Sequence, residues 1–183
     1  LERLYNLGFL DDVKVDVQQA RNPNLADLVF TVSEGKPGIL NAGAGYSTTD
    51  LLVGTLQVQH KNLFGRGYCL NLLWEFGARK QNYEISFTEP WFLHKPMSLG
   101  VDVFNTERVK QYGTVSDAYK EKREGGGLKL GPRISSDYLS LNFAYAYENV
   151  SIYESKVSEV KEETKITSSL TNSLIWDSRD NIF

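Results

Sequence analysis

Apolar and polar residues alternate along most of the chain after residue 37, in runs of about ten residues. In the clearest run, YCLNLLWEF at residues 68–76, every second residue is apolar and the residues between them include Asn71 and Glu75. A period of two predicts β-strands with one apolar face. The pattern predicts eight strands, at residues 38–47, 51–61, 67–77, 81–90, 97–108, 118–132, 137–150 and 164–177.

The beginning of the chain follows a different pattern. Leu1, Leu4 and Tyr5 recur at helical spacing, and Gly8 is a typical helix stop. Two alternating runs follow, at 13–17 and 27–35, with RNPN at residues 21–24 as the turn between them. We therefore predict a short α+β unit at residues 1–36, followed by an all-β unit at residues 37–183.

The connections between the predicted strands differ at the two ends of the sheet. Short connections with Gly or Pro occur at residues 64–67, 89–96 and 131–137, whereas two of the alternate connections are long and polar, around 105–124 and at 148–165. Alternate connections of an up-and-down sheet lie at the same end. Short turns at one end and long polar loops at the other are typical of outer-membrane β-barrels.

Large aromatic residues cluster at the short-turn end. The predicted set is Phe64, Tyr68, Trp91, Phe92, Tyr138 and Trp176. Membrane interfaces select such a ring, because amphipathic aromatic side chains sit well among headgroups. Strands of about ten residues, tilted near 45°, also cover roughly the 25 Å apolar band of a bilayer. We predict a transmembrane β-barrel; a soluble β-sandwich binding module also alternates and is the alternative from another class.

Composition narrows the range of partners. The chain of 183 residues has 20 basic and 23 acidic residues and shows no basic patch with interleaved aromatics, so we expect no nucleic-acid partner. A single cysteine excludes an internal disulfide. The start, LERLYNLGFL, lacks the features of a signal peptide, so we expect the chain to begin inside a longer protein.

Side-chain chemistry offers little support for an enzyme. His60 and His94 have ordinary strand or turn neighbours, and Cys69 lies on the polar face of its strand, so we interpret all three as structural or incidental. No nucleophile elbow, zinc-protease motif or phosphate-binding loop is present in the sequence. We therefore predict no catalytic residue, no metal and no cofactor.

Two polar or flexible motifs have simple structural interpretations. Asp177, Arg179 and Asp180 fit a hairpin turn held by salt bridges better than a charged site. The three consecutive glycines at residues 125–127 could cradle a ligand, but within a strand they more often mark a bend or a close backbone approach.

The first strand of the all-β unit, GILNAGAGYS, carries few large side chains. Such a strand pairs weakly, and an open edge in lipid costs several kcal/mol for each unsatisfied backbone group. A weakly closed edge is therefore a template for an incoming strand, although the glycines could instead relieve curvature. The predicted pairing edge comprises Gly38, Ile39, Leu40, Asn41, Ala42, Gly43, Ala44, Gly45 and Tyr46.

Several motifs together resemble one family. RLYNLGFLDDVKVDVQ followed by DLVFTVSEG resembles the end of a POTRA domain. GAGYSTTD, HKNLFGRGY, YEISFTEPWF and DSRDN resemble, in that order, the first half of the attached barrel in the BamA superfamily of outer-membrane insertases and translocases. Within that family the chain is most similar to the BamA type.

The resemblance implies a location and a function. The barrel would lie in the outer membrane of a Gram-negative bacterium with the POTRA part in the periplasm, and it would insert and fold client barrel proteins, with accessory lipoproteins as further partners. A polypeptide secretion or translocation pore is the alternative within the family. Because family barrels have about sixteen strands, we expect the eight predicted strands to be completed by further sequence or by a homodimer rather than to close alone.

Overall fold

Antiparallel strand pairing accounts for most of the secondary structure. A computed structural model describes residues 9–19, 25–132, 134 and 139–176. None of these residues forms a helix long and apolar enough to cross a membrane. The strands are β1 (Leu10–Gln19), β2 (Ala26–Glu34), β3 (Gly38–Ser47), β4 (Leu51–Leu63), β5 (Tyr68–Gly77), β6 (Lys80–Glu89), β7 (Met97–Tyr112), β8 (Val115–Pro132), β9 (Leu139–Tyr153) and β10 (Glu163–Trp176), with one 3-10 turn at Phe92–His94.

The first two strands form a small sheet of their own. β1 and β2 pair antiparallel, with Val13 opposite Val32 and Val15 opposite Phe30, so the hairpin has one apolar face. The predicted hairpin is confirmed. The predicted helix at residues 1–8 and the turn at residues 21–24 lie outside the described residues.

The remaining eight strands form one sheet in simple up-and-down order from β3 to β10. Each strand pairs with its neighbours in sequence, so the predicted eight-stranded antiparallel sheet is confirmed. β3 and β10 are its two edges and do not pair with each other, which leaves the barrel wall open. The sandwich alternative is wrong for the described residues, because no second layer covers this sheet.

Register places the apolar positions of neighbouring strands side by side. Leu72 lies opposite both Val58 and Ile85, and Val101 lies opposite both Phe87 and Leu128. These residues define the apolar face. The polar face carries the alternate positions, which include Gln57, Asn71, Ser86, Asp102, Ser169 and Thr171.

The sheet has almost no protein core. Among the described residues, the buried apolar ones are Val13, which lies in the small sheet, and Ala118, and the large side chains of the apolar face are exposed or only partly buried. Trp74 is 42% exposed, Leu128 52% and Leu170 69%. An exposed apolar surface that runs across eight strands is far larger than soluble monomers present. The face therefore requires an apolar environment such as lipid.

The two ends of the sheet differ, but not as the sequence pattern predicted. We call the end with the connections at residues 64–67 and 90–96 the turn end, and the opposite one the extended end. The predicted long loop around 105–124 is wrong: β7 and β8 continue to a two-residue turn at Gly113, which has φ +57°. The predicted loop at 148–165 shortens to residues 154–162.

Polar residues occupy both faces of the sheet near the extended end. The sequence pattern therefore predicted a loop at residues 105–124. Ion pairs connect neighbouring positions there: the Lys110 amine lies 3.6 Å from the Glu121 carboxylate, and Lys122 lies 2.7 Å from Glu124. Burial, together with a hydrogen bond to Glu107, raises the pKa of Tyr153 to about 12. The strands at this end thus continue beyond the apolar band as a hydrated hairpin.

The glycines of β8 allow neighbouring strands to approach closely. A Cβ atom at Gly125 would lie 2.2 Å from the Tyr147 carbonyl oxygen, and one at Gly126 would lie 2.7 Å from the Asp102 carbonyl oxygen. The predicted close approach at residues 125–127 is confirmed.

Candidate functional site

The candidate pairing edge is strand β3, Gly38–Ser47. Its ten residues are all exposed, and its backbone pairs with β4 from Gly38 opposite His60 to Ser47 opposite Leu51. The opposite side of the strand has no neighbour in the part of the chain that the structure describes. The predicted edge residues 38–46 therefore lie together along one side of the sheet.

The glycines of β3 have no packing requirement. A Cβ atom at Gly45 would meet nothing within 4 Å, and one at Gly43 would meet only the Thr55 hydroxyl, at 3.4 Å. One side-chain hydrogen bond joins β3 to β4: the Asn41 amide donates to Gln57 over a long 3.4 Å. The strand is therefore held to its neighbour mainly by backbone hydrogen bonds.

The opposite edge is built differently. β10 is also exposed over nearly its whole length, but its apolar face carries larger side chains, including Ile166, Leu170 and Leu174. Its side chains also bond to β9, because the Ser168 hydroxyl donates to the Tyr145 hydroxyl at 3.0 Å. The two edges thus differ in how much side-chain contact supports their pairing.

On the polar face, side-chain hydrogen bonds become more numerous with distance from β3. The Gln57 amide donates to Asn71 at 2.8 Å. Further along, Asn82 is only 9% exposed; it donates to Glu75 and accepts from the Thr106 hydroxyl. A Lys80–Glu75 ion pair at 2.7 Å extends this network. The middle of the sheet is therefore cross-linked by side chains in a way that β3 is not.

The aromatic residues predicted for the membrane interface lie at strand ends. Phe64 is in the β4–β5 turn, Tyr68 begins β5, and Trp91 and Phe92 follow β6, all at the turn end. Trp176 ends β10 at the same end of the sheet. Tyr138 lies outside the described residues. Contact with headgroups stays a prediction for this set.

A second aromatic group was missed by the sequence interpretation. Trp74 lies between two aromatic rings, with centroids 4.7 Å from Phe76 and 6.1 Å from Tyr83. The Phe76 ring also covers Gly54, because a Cβ atom there would lie 2.5 Å from the ring. Trp74 and Phe76 belong to the apolar positions predicted at residues 68–76, but their grouping with Tyr83 depends on the register between β5 and β6.

We next consider metal-binding groups and cavities among the described residues. No group of three or more His, Cys, Asp or Glu side chains is arranged to hold a metal within residues 9–19, 25–132, 134 and 139–176. A cavity of about 330 Å³ lies at the extended end, lined by residues that include Arg79, Asp117 and Lys120. Arg79 pairs with Asp117 at 2.9 Å and Lys120 with Glu154 at 2.8 Å, so the cavity charges largely satisfy one another. The Asp177–Asp180 motif lies outside the described residues.

An open up-and-down sheet with one lipid-compatible face is the wall of a membrane β-barrel, and the comparisons with known proteins agree. A model of the Omp85 superfamily domain matches residues 62–183. The chain belongs to the Omp85 superfamily.

Two curated relatives and one solved structure place the chain more closely. It is 30% identical over 153 residues to the outer membrane protein assembly factor BamA of Neisseria meningitidis serogroup B, covering 82% of this chain and 19% of that protein. It is 27% identical over 185 residues to BamA of Neorickettsia risticii, covering 99% and 24%. A crystal structure of Haemophilus ducreyi BamA lacking POTRA domains 1–3 shares the fold, with TM-score 0.68, 20% identity, and coverage of 98% of this chain and 37% of that one.

The relationship extends beyond bacteria. A chloroplastic outer envelope protein 80 of Oryza sativa is 31% identical over 97 residues, covering 50% of this chain and 15% of that protein. The chain thus spans about a quarter or less of the length of these curated relatives.

Proposed function

We propose that this chain is part of an outer-membrane protein assembly factor and that strand β3 pairs with an incoming strand of a client β-barrel protein. The observation that carries the proposal is the open edge of β3. Its backbone groups face outward, and its glycines have no packing role. An incoming strand would satisfy those groups, which lipid leaves unpaired at a cost of several kcal/mol each.

The proposal includes a location. The apolar face would contact the outer-membrane lipid, and the aromatic residues of the turn end would lie at the periplasmic interface. Phe64, which is 83% exposed, is the clearest candidate for insertion among headgroups. Residues 1–36 would be the end of a periplasmic POTRA domain, because β1 and β2 form a separate sheet at that end. These aromatic residues would thin or disorder the nearby lipid and so ease client entry.

Both edges of the sheet need partner strands to complete a barrel. Further sequence of a longer polypeptide is one source and a second copy of this chain is the other. The mass of the natural protein in detergent distinguishes them. We also propose accessory lipoproteins as partners of the periplasmic part. The basis for these partners is the similarity to BamA proteins and not a contact in this structure.

Client insertion by the full-length protein in liposomes tests the proposal. Replacing Gly43 and Gly45 together with valine adds β-forming side chains on the polar face and strengthens pairing with β4. We expect insertion to slow several-fold while the protein still folds. Ser169→Val with Thr171→Val is the matched control, because these residues occupy the same face of the other edge strand. Equal insertion rates for the wild-type protein and the β3 variant would contradict edge pairing.

The same variant distinguishes an assembly factor from a translocation pore. A translocation pore would be sensitive to the width of the channel and not to the strength of β3–β4 pairing. A variant that slowed insertion without altering ion conductance would therefore favour the assembly factor.

A further inference from the structure

Asn62 connects the two sheets of the molecule. It lies near the end of β4 and is only 8% exposed, which is unusual for a polar residue in a sheet with almost no core. Its side-chain amide donates a hydrogen bond to the carboxylate of Glu34, the last residue of β2. The contact joins residues 28 positions apart in sequence.

The other end of the same side chain fixes the β4–β5 turn. The Asn62 side-chain oxygen accepts a hydrogen bond from the Gly67 backbone N–H at 2.7 Å. Gly67 has φ +69°, a conformation that favours glycine. The backbone carbonyl of Asn62 also accepts a hydrogen bond from the Gly65 N–H at 3.1 Å. Both polar atoms of the amide are therefore used, one toward the turn and one toward the β1–β2 hairpin.

The connector between the two sheets is bonded on both sides of this contact. The Gly35 N–H donates to the Phe9 carbonyl at 2.9 Å, which ties the connector to the hairpin. The Lys61 N–H donates to the Pro37 carbonyl at 2.8 Å, which continues the β3–β4 ladder by one step. The position of the hairpin and the start of β3 are thus linked through residues 35–37.

We propose that the Asn62–Glu34 hydrogen bond is a latch that couples the orientation of the β1–β2 hairpin to the pairing of the first residues of β3. Asn62 acts as a positioning residue. With the latch closed, the connector is held and the base of β3 stays paired with β4. With the latch open, the hairpin turns about residues 35–37 and the base of β3 frays. The latch concerns how the two sheets are joined and is independent of whether client strands pair with β3.

Three variants distinguish a latch from a simple turn cap, in which the Asn62 side chain only holds the β4–β5 turn through Gly67. In Asn62→Asp the new carboxylate still accepts from the Gly67 N–H, but it faces the Glu34 carboxylate and cannot donate to it. In Glu34→Gln the Asn62 amide keeps an acceptor. In the double variant the glutamine amide donates to the aspartate, so the bond returns with its polarity reversed. A latch predicts that only the single Asn62→Asp variant is open.

Hydrogen exchange and spin-label distances in the full-length protein measure opening directly. In a Cys69→Ser background, labels at Gln18 in β1 and Thr167 in β10, both exposed, report the orientation of the hairpin. We expect Asn62→Asp to broaden that distance distribution and to accelerate amide exchange at residues 38–41 on the order of ten-fold, with β9 unchanged. Glu34→Gln and the double variant should resemble the parent protein.

Two results would overturn the latch. One is an Asn62→Asp variant with parental distances and exchange, which is the behaviour of a turn cap alone. The other is a double variant as open as Asn62→Asp. If Asn62→Asp fails to assemble, the double variant decides: restored assembly supports the latch, and continued failure contradicts it. Neither measurement involves client insertion, so the latch and the proposed function fail separately.

Discussion

Strands β3 and β8 are both rich in glycine, for opposite physical reasons. In β8 a Cβ atom at Gly125 would lie 2.2 Å from a carbonyl oxygen of the neighbouring strand. In β3 a Cβ atom at Gly45 would meet nothing within 4 Å. The β8 glycines permit tight packing in the middle of the sheet, whereas the β3 glycines remove contacts from its edge. The same residue type therefore permits a close strand approach in β8 and removes side-chain contacts in β3.

The difference extends to the side chains around each strand. Beside β8, charged residues form ion pairs across the strands, such as Lys129 with Asp102 of β7 at 2.7 Å. Beside β3, the Asn41–Gln57 hydrogen bond at 3.4 Å is the only side-chain hydrogen bond to β4 among the described residues. Side-chain bonding increases from the β3 edge toward the middle of the sheet, as expected if β3 exchanges partners while the rest of the wall stays intact.

The largest effect is expected at Gly125. Gly125→Ala should destabilise the barrel by about 3 kcal/mol, because the added methyl group forces β8 and β9 apart. The measurement is the fraction of protein that keeps its folded mobility in an unheated detergent gel across a urea series. Gly45→Ala is the control, and equal loss in both variants would remove the contrast between the strands.

An intermediate effect is expected in the polar network. Asn82→Ala leaves the Thr106 hydroxyl without its acceptor and removes one hydrogen bond to Glu75, which keeps its ion pair with Lys80; in this nearly buried position it should cost about 1–3 kcal/mol. Asn41→Ala at the edge should cost less than about 0.5 kcal/mol. Urea midpoints of the two variants test this ranking, and an Asn41 variant as unstable as the Asn82 variant would contradict it.

The smallest effect is expected at Gly45. Gly45 does not have a positive φ, so alanine fits its backbone conformation. Gly45→Ala should raise stability by about 0.4–1 kcal/mol, chiefly by restricting the unfolded chain. Thermal unfolding measures the change. A loss of stability would show that the β3 glycines have a packing role after all.

Most of the sheet was predictable because alternation depends only on the side-chain period of a strand. The failure at residues 105–124 has a specific cause. That hairpin is polar on both faces, so it lacks the alternation by which the other strands were found, and its pairing is supported by cross-strand charges such as Lys110 and Glu121. The turn signal was present in the YGTV stretch, where Gly113 adopts a positive φ.

The candidate site was predictable in part. The composition of β3 predicted a weakly paired edge, and the structure adds that Gly43 and Gly45 have open space around them. The Asn62–Glu34 contact could not be predicted, because no local pattern links residues in two different sheets. Asn62 lies in the HKNLFGRGY motif and Glu34 in DLVFTVSEG, and nothing in either motif indicates that the two residues meet.

Cysteine cross-linking to a stalled client strand tests most directly whether β3 is the edge that pairs with clients. In a Cys69→Ser background, single cysteines are placed at Asn41 in β3 and at Thr171 in β10, both exposed on the polar face. We predict that Asn41→Cys forms a disulfide with a client cysteine at the position that faces it in one register, with little cross-linking from Thr171→Cys. Equal cross-linking from the two edges, or none from β3, would contradict it.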